Sequence, residues 1–174
     1  MKYFEEISKY IIPALIVLAT SYLLVREFLI REEKKRKQEA FLNNQKEITP
    51  IRLQAYERLI LFLERIHPES IILRENVAGL NNQQLQQKLI VAIRNEFEHN
   101  LSQQIYVSPQ LWVHIKNAKE SIIQLVNAEA LQLLATDSSL SLSKAIIESH
   151  MQLQNSAIDV AKAELKEEIG IIWK

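Results

Sequence analysis

The hydrophobic residues of this 174-residue chain fall into two patterns. The first is a continuous run: residues 10–25, YIIPALIVLATSYLLV, contain no charged side chain, and Phe28, Leu29 and Ile30 extend the apolar character. The second pattern begins near residue 50, where apolar residues recur with the spacing of amphipathic helices. The chain is therefore predicted to be all-α, with an N-terminal apolar helix followed by a bundle of about four to five helices.

Side chains that cap helices give the boundaries of the predicted bundle. At residues 49–50 and 108–109 a hydroxyl residue precedes Pro, which suits the first position of a helix. Further candidate caps are Asn81 or Asn82, and Ser156 with Asp159. A shorter helix is predicted to start among Ser139, Ser141 and Ser143. The predicted helices span residues 50–66, 82–104, 109–135, 142–153 and 157–171. The segment 67–80 is predicted to be a connection whose Ile71-Ile72-Leu73 run enters the core.

The chain divides into three predicted segments. Residues 1–30 form a transmembrane anchor, residues 31–47 a charged juxtamembrane helix, and residues 48–174 the helical bundle. Because the stretch REEKKRKQEAFLNNQKE contains no helix breaker, the anchor helix is expected to continue to about residue 46.

The uncharged run from Tyr10 to Val25 is the predicted membrane contact. It spans about 24 Å as a helix, slightly less than the hydrocarbon thickness, but flanking Lys9 and Arg26 can snorkel. A buried soluble helix and a cleaved signal peptide are the alternatives. The signal peptide fits less well, because MKYFEEISK carries two Glu and the run ends in Leu-Leu-Val-Arg rather than in small residues.

The flanking charges predict the orientation of this anchor. Lys2 and Lys9 precede it, whereas six Lys or Arg lie within residues 26–37. The positive-inside rule then predicts a single-pass protein of the inner membrane, with the N-terminus outside and the body in the cytoplasm.

Composition narrows the possible functions. Residues 1–37 hold eight Lys or Arg against five Glu, so the remainder holds 13 against 16 acidic residues and lacks the basic footprint of a nucleic-acid-binding protein. Without Cys there is no disulfide, thiol nucleophile or Cys ligand for zinc. No nucleophile motif or Gly-rich phosphate loop is present, so we predict no enzyme activity, no cofactor and no small-molecule substrate.

Two Glu-x-x-His pairs raise a metal hypothesis. Glu64 with His67, and Glu96 with His99, have the spacing that di-iron four-helix bundles use, although such sites need one further Glu from each of two other helices. His and carboxylates are the only metal-ligand side chains in this Cys-free chain that suit a transition metal.

Helical geometry weakens this metal hypothesis. At about 100° per residue, Glu96 lies about 100° and His99 about 160° from Phe97, which belongs to the expected buried stripe. Pro68 also disfavours the helical conformation for His67, so the spacing of the first pair need not survive. All four residues are therefore predicted to lie on helix surfaces or helix ends.

Two arginines are placed unusually. Arg52 falls within one predicted apolar stripe and Arg94 lies about 60° from Phe97 in another. Each is expected to snorkel or to pair with a carboxylate such as Glu57, Glu98 or Glu120. The alternative is an anion site or a site for a partner's carboxylate, because guanidinium groups bind both in bidentate fashion.

The polar residues of NEFEHN, residues 95–100, are better candidates for a protein contact than for a metal site. Together with the two arginines they give the predicted partner-contact residues, which are Arg52, Arg94, Glu98 and His99. A metal site is not predicted.

Several long stretches resemble a known family. They are ITPIRLQAYERLILFLERI (48–66), the stretch from REN to IRNEFEHNLSQQIYVS (74–108) and the motif W-x-x-x-K-x-A-K-E that begins at Trp112. The chain resembles an uncharacterised family of short Bacteroidetes proteins with one N-terminal membrane helix. The resemblance covers nearly the whole chain and implies no activity. Members of that family often have Ser where this chain has His67.

The predicted function is a membrane-anchored interaction, scaffold or accessory-subunit protein, whose cytoplasmic bundle binds a protein partner or a second copy. A His/Glu metal protein or enzyme is one alternative. A stalk similar to the b subunit of rotary ATP synthases is another, although Pro at positions 50, 68 and 109 argues against one long helix.

Overall fold

A computed structural model describes residues 2–172, with the side chains of residues 11, 15–39 and 48–170. Its elements are α1 (Lys2–Arg65), α2 (Pro68–Glu75), α3 (Asn82–His99), a 3-10 helix (Leu101–Ile105), α4 (Pro109–Leu131), α5 (Ser139–Met151) and α6 (Ala157–Ile172). Within residues 2–172, β structure is limited to an isolated bridge between Asn81 and Ser138. The predicted all-α class is confirmed.

The chain divides into two units, residues 1–48 and residues 49–174. The finer division of the first unit into an anchor (1–30) and a charged segment (31–47) stays a prediction. Within the part of the chain that the structure describes, no helix is both long enough and apolar enough to cross a membrane. The side chains of residues 1–10 and 12–14, which belong to the predicted anchor, lie outside that part.

Helix α1 runs without interruption through Pro50, so the predicted helix start at Thr49-Pro50 is wrong. A hydroxyl residue followed by Pro marks a start only where the preceding residues leave the helical conformation. Here residues 38–48 favour helix, and an interior Pro then removes one backbone hydrogen bond without ending the helix. The expected continuation of the anchor helix to about residue 46 agrees with α1.

The predicted caps of α3 and α4 are confirmed. Asn81 Oδ1 accepts a hydrogen bond from the Gln84 N–H at 2.8 Å, and Gln84 Oε1 accepts one from the Asn81 N–H at 3.1 Å. Ser108 Oγ accepts from the Leu111 N–H at 3.1 Å, one residue before Pro109. These side chains satisfy backbone donors that a helix start leaves unpaired.

The last two helices begin at serine caps. Ser138 Oγ accepts from the Leu140 N–H at 3.3 Å. Helix α5 therefore starts at Ser139, which is one of the predicted start positions, although the predicted range began at residue 142. Before α6, Ser156 Oγ accepts from the Asp159 N–H at 3.2 Å and donates to Asp159 Oδ2 at 2.7 Å. This Ser hydroxyl holds the pKa of Asp159 below its usual value. The predicted cap at Ser156 is therefore present, with the Asp159 carboxylate bound to the Ser156 hydroxyl.

Segment 67–80 is not merely a connection, because it contains helix α2. Pro68 occupies the first turn, where its missing N–H costs nothing, and Glu69 suits the positive end of the helix dipole. Ile71 and Ile72 are buried as expected, whereas Leu73 is exposed. The bundle consequently has one helix more than predicted.

The core of residues 49–170 combines one apolar stripe from each helix. Leu59 and Leu63 of α1 and Leu89 and Ile93 of α3 are fully buried. The other helices supply the remaining core residues, including Ile71, Leu111, Ile115, Leu142, Ile146, Ile158, Ala161 and Leu165. Helix α4 packs against α3, α5 and α6 and so lies at the centre of these contacts.

Candidate functional site

Arg52 belongs to a polar cluster that joins three helices, here called the Arg52 cluster (Arg52, Tyr56, Ser108 and Glu168). Arg52 donates from Nη2 to the Tyr56 hydroxyl at 2.6 Å and to Glu168 Oε1 at 3.4 Å, and from Nε to the Tyr106 carbonyl at 3.1 Å. The same Glu168 oxygen accepts from the Tyr56 hydroxyl at 2.8 Å and from the Ser108 N–H at 3.0 Å. The predicted need of Arg52 for a carboxylate is met by Glu168 and not by Glu57, Glu98 or Glu120.

The surroundings of Tyr56 within the Arg52 cluster determine the protonation state of its phenol. Burial of Tyr56, together with the hydrogen bond and negative charge of Glu168, raises the pKa of the phenol to about 12, although Arg52 opposes the shift. Tyr56 is therefore a neutral donor at physiological pH. The Glu168 carboxylate lies at the N-terminal end of α4, where the exposed N–H groups and the helix dipole favour an anion.

Next to this cluster is an open groove of about 500 Å³, lined by Arg52, Ser108, Gln110, Glu164, Glu167 and Glu168. Three carboxylates face one guanidinium there. Arg52 already donates from Nε and Nη2 to a carbonyl, Tyr56 and Glu168, so only its Nη1 group is left for an anion. The groove is thus more suited to a cationic group than to an anion, which was the alternative predicted for Arg52 from the sequence.

Arg94, Glu98 and His99 are exposed on α3. The expected placement of Arg94 near the core is wrong, because the buried stripe is centred on Leu89 rather than on Phe97. Arg94 lies about 140° from Leu89 around the helix. The exposed positions Val91, Arg94, Glu98 and His99 form a continuous surface, here called the α3 face. The structure does not bring Arg52 into contact with these residues through any described hydrogen bond or ion pair.

The two glutamates of the metal hypothesis pair with different cations. Glu64 pairs with Lys162 at 2.8 Å, and Glu96 pairs with Arg65 at 2.7 Å. Among the described residues, no group of three His, Cys, Asp or Glu could hold a metal ion. Glu98 and His99 lie on the outer surface as predicted, whereas Glu96 is mostly buried beneath its arginine.

A contact between His67 and His150 was not predicted. Their rings meet edge to face with centroids 4.8 Å apart, at the start of α2 and the end of α5. His150 Nε2 is buried and has no hydrogen-bond partner among the described residues. Burial, followed by the proximity of His67, lowers the pKa of His150. No local spacing could have signalled this contact, because the two residues are far apart in the chain.

A charged network around Glu96 was also not predicted. Glu96 Oε1 lies 2.7 Å from Arg65 Nη2 and 3.9 Å from Arg74 Nη2. Glu75 extends the network, with Oε1 3.0 Å from Arg74 Nε and Oε2 3.7 Å from Lys88 Nζ. These pairs link α1, α2 and α3, and partly exposed pairs of this kind typically contribute little each.

Residues of the motifs that carry the family resemblance pack together. The Phe97 ring stacks on Trp112 with centroids 5.5 Å apart, and Lys119 Nζ lies 4.4 Å from the centre of the Phe97 ring. Trp112 is buried and Phe97 is partly buried against the same core, so this aromatic pair contributes to core packing. Cation–π contacts such as that of Lys119 add about 0.5–2 kcal/mol, depending on how far they are desolvated.

These features define an all-α protein with a polar cluster where three helices meet and a charged outer face on α3. The chain belongs to a family of unknown function, DUF7935, whose model matches residues 2–172. No curated protein and no solved structure matches it. The resemblance to an uncharacterised family is thus confirmed, while its bacterial group and its membrane helix stay predictions.

Proposed function

We propose that this chain is a non-enzymatic, membrane-anchored helical protein whose bundle binds a protein partner, as an accessory or scaffold subunit. The observation that carries the proposal is the exposed apolar surface of α1. Twelve large apolar side chains between residues 11 and 30 are exposed. Leaving that many side chains in water forgoes on the order of 10–20 kcal/mol of burial, which is as much as the whole stability of a typical domain.

A lipid environment fits this surface better than a soluble partner does. The exposed residues Leu15–Leu18 and Tyr22–Val25 are contiguous in sequence, so they point to every side of α1. A helix that is apolar on all sides is suited to a membrane or to a fully enclosed core. The segment of residues 10–25 is therefore proposed as the anchor.

The charges that follow the anchor support its orientation. Arg31 pairs with Glu27 at 2.6 Å and Arg36 with Glu32 at 3.6 Å, each one turn apart on α1. Topology depends on the number of Lys and Arg residues near the membrane more than on net charge, so these acidic neighbours do not cancel the effect. We place the N-terminus outside the inner membrane and the bundle in the cytoplasm.

The partner is proposed to contact the α3 face. Arg94, Glu98 and His99 combine both charge signs with a titratable ring, and Val91 adds exposed apolar area beside them. Mixed surfaces of this kind suit a specific protein contact, because complementary charges orient the partner. Arg52, at the edge of the acidic groove, is proposed as a secondary contact.

Fractionation of cells that express the full chain tests the anchor. The wild-type chain is expected to stay in the membrane pellet after carbonate extraction. Replacing both Val17 and Leu18 by Arg should release it, because each Arg near the bilayer centre costs about 2.5–3.5 kcal/mol. Leu131→Arg, at an exposed site of α4, is the matched control and should stay in the pellet. Release of the wild-type chain by carbonate would overturn the anchor.

Crosslinking in membranes tests the α3 face. A photoreactive side chain at position 98 should capture a discrete protein, and Arg94→Glu should reduce its yield about tenfold, equivalent to losing one interfacial charge pair. The same photoreactive group at Lys144, which is exposed on α5, is the control. Equal capture from both positions would count against the α3 face.

A stalk-like subunit of a membrane complex is a second candidate. One observation favours it: α1 continues through Pro50, so this proline does not prevent a long helix. X-ray scattering of the detergent-solubilised chain distinguishes the two candidates. A rod-shaped particle would support the stalk, and a compact particle would exclude it.

A further inference from the structure

The cations in the charged part of α1 lie mainly on one side of the helix. This side is here called the basic side and comprises Arg26, Arg31, Lys34, Lys35 and Lys37. At about 100° per residue, all five lie within about 100° of Lys34 around the helix axis. Each of the five residues is exposed, so the cations are accessible from outside the chain.

The opposite half of this part of α1 is acidic. The half-turn that runs from Arg26 through Lys34 to Lys35 contains one carboxylate, Glu27, which pairs with Arg31 at 2.6 Å. The charged residues of the other half are Glu32, Glu33, Glu39 and Arg36. Charge sign is thus segregated around the helix, and an anionic surface would be attracted to one side of it only.

Ion pairs across the border of the two halves leave the lysines accessible. Lys35 Nζ lies 3.9 Å from Glu39 Oε1, and Lys37 Nζ lies 3.8 Å from Glu33 Oε1. The two lysine side chains nevertheless keep exposed fractions of 70% and 78%. Exposed pairs one turn apart on a helix contribute little, so these cations can exchange their carboxylates for another anion.

The basic side begins where the exposed apolar part of α1 ends. Ile30 is the last residue of that apolar part, and Lys37 lies about 10 Å further along the helix axis. Side chains on a helix point back toward its N-terminus. The lysines of the basic side therefore point toward the apolar segment, and their ammonium groups reach a phosphate layer that borders it.

We infer that the basic side binds the phosphate groups of anionic phospholipids, in the same bilayer as residues 10–25. The inference rests on the proposed function at one point, because it requires the apolar segment to lie in that bilayer. A group of Lys and Arg residues beside an anchor is attracted to anionic headgroups. Membrane helices are typically tilted by about 20°, so one side lies closer to the headgroups, and attraction of the cations makes the basic side that one.

The lipid selectivity of the full-length chain tests this inference. The chain is reconstituted in phosphatidylcholine bilayers that contain a trace of spin-labelled phosphatidylglycerol or spin-labelled phosphatidylcholine, and the fraction of each lipid that the protein immobilises is measured. We expect the anionic lipid to associate about fivefold more strongly, which is the effect of one Lys or Arg near an anionic surface. Salt at about 1 M should abolish this preference, because it shortens the screening length to about 3 Å. Equal association of the two lipids at low salt would overturn the inference.

A matched pair of charge reversals tests the assignment to the basic side. Lys34→Glu, at the centre of the basic side, should reduce the preference for phosphatidylglycerol to about one. Arg36→Glu makes the same charge change about 160° away around the helix and should leave the preference within about twofold of the wild-type value. Both residues are exposed, so circular dichroism should show wild-type helicity for both variants. Equal losses in the two variants, or no loss in Lys34→Glu, would overturn the assignment.

The same samples distinguish other outcomes. Binding of a short single-stranded DNA that depends on Lys34, together with equal association of the two lipids, would assign the basic side to a soluble polyanion and overturn the inference. A chain that stays in the membrane pellet after carbonate extraction but shows no lipid preference retains its anchor and loses the headgroup site. Conversely, a chain released by carbonate that still binds phosphatidylglycerol vesicles, and not phosphatidylcholine vesicles, retains the headgroup preference and loses the anchor.

Discussion

Residues 11–39 and residues 49–170 use the same apolar residue types in opposite ways. In the bundle, Leu59 and Leu89 are fully buried by neighbouring helices. In α1 before residue 39, Leu18 and Leu24 are 66% and 69% exposed. The helices of the bundle bury their apolar faces against one another. The apolar side chains of residues 11–30 are exposed instead, and they lie on all sides of α1. Continuity of a helix therefore does not mean that its two parts share one environment.

This contrast also separates two kinds of charged residue. In the bundle, Glu168 is largely buried and accepts three hydrogen bonds or ion pairs from other elements. In the first unit, Arg31 and Arg36 pair with residues one turn away on the same helix and stay exposed. Charges of the first kind hold helices together, while those of the second kind remain available to lipid headgroups or to another chain.

The largest expected difference is the response to removing an apolar side chain. Leu89→Ala should lower the free energy of unfolding of the bundle by about 3–4 kcal/mol, because it leaves a cavity among α3 and its neighbours. Leu24→Ala should change it by less than about 0.5 kcal/mol, since that side chain is mostly exposed. Denaturant unfolding of the full chain in detergent measures both. Similar decreases in the free energy of unfolding for the two variants would contradict the contrast between the two regions.

The next largest effect is expected in the Arg52 cluster. Glu168→Ala leaves Arg52 and the buried Tyr56 hydroxyl without their carboxylate, which should cost about 2–3 kcal/mol of unfolding free energy. Glu167→Ala changes the same charge at an exposed neighbouring position and should cost less than about 0.5 kcal/mol. The same unfolding measurement applies, and equal costs would show that Glu168 is not a structural link.

A smaller effect is expected from the cap of α3. Asn81→Ala removes the acceptor for the Gln84 N–H and should cost about 1 kcal/mol. Asn81→Gly is the matched variant, because Gly is well tolerated at the N-cap and should cost only a few tenths of a kcal/mol. Thermal unfolding by circular dichroism distinguishes the two, and identical midpoints would contradict the capping assignment.

The smallest effect is a pH dependence that belongs to the bundle alone. His150 has a lowered pKa in the folded chain because of burial and His67, while Asp159 and Glu69 oppose the shift and Lys162 adds to it. The unfolded chain therefore binds a proton more readily, so stability is retained above the ordinary histidine pKa of 6.5 and declines as pH falls below it. Unfolding at several pH values should show a slope that His150→Gln reduces. An unchanged slope in that variant would assign it to other groups.

Local signals in the sequence predicted the local structure well. The caps at Asn81, Ser108 and Ser156 depend on side chains within three residues of the helix start, so spacing alone identifies them. The same kind of signal failed at Pro50, where the preceding residues stay helical, and it missed α2 because that helix is short and lies within an apparent loop.

Long-range contacts were not predictable from a single sequence. Arg52 was expected to need a carboxylate, but nothing near it in sequence identified Glu168, which lies at the other end of the chain. The meeting of His67 with His150 depends in the same way on how α2 packs near the end of α5. Arg94 shows a further limit, since a small error in the centre of the buried stripe moved it from the core side to the surface.

The most direct test of the proposed anchor compares two leucines that are both exposed in the structure. Leu18 of α1 and Leu131 of α4 are 66% and 84% exposed. As single Cys variants of the full chain in membranes, Leu131→Cys should react with a water-soluble maleimide once the cytoplasmic side is open. Leu18→Cys should react only after detergent is added. Equal reactivity of the two variants in intact bilayers would contradict the account.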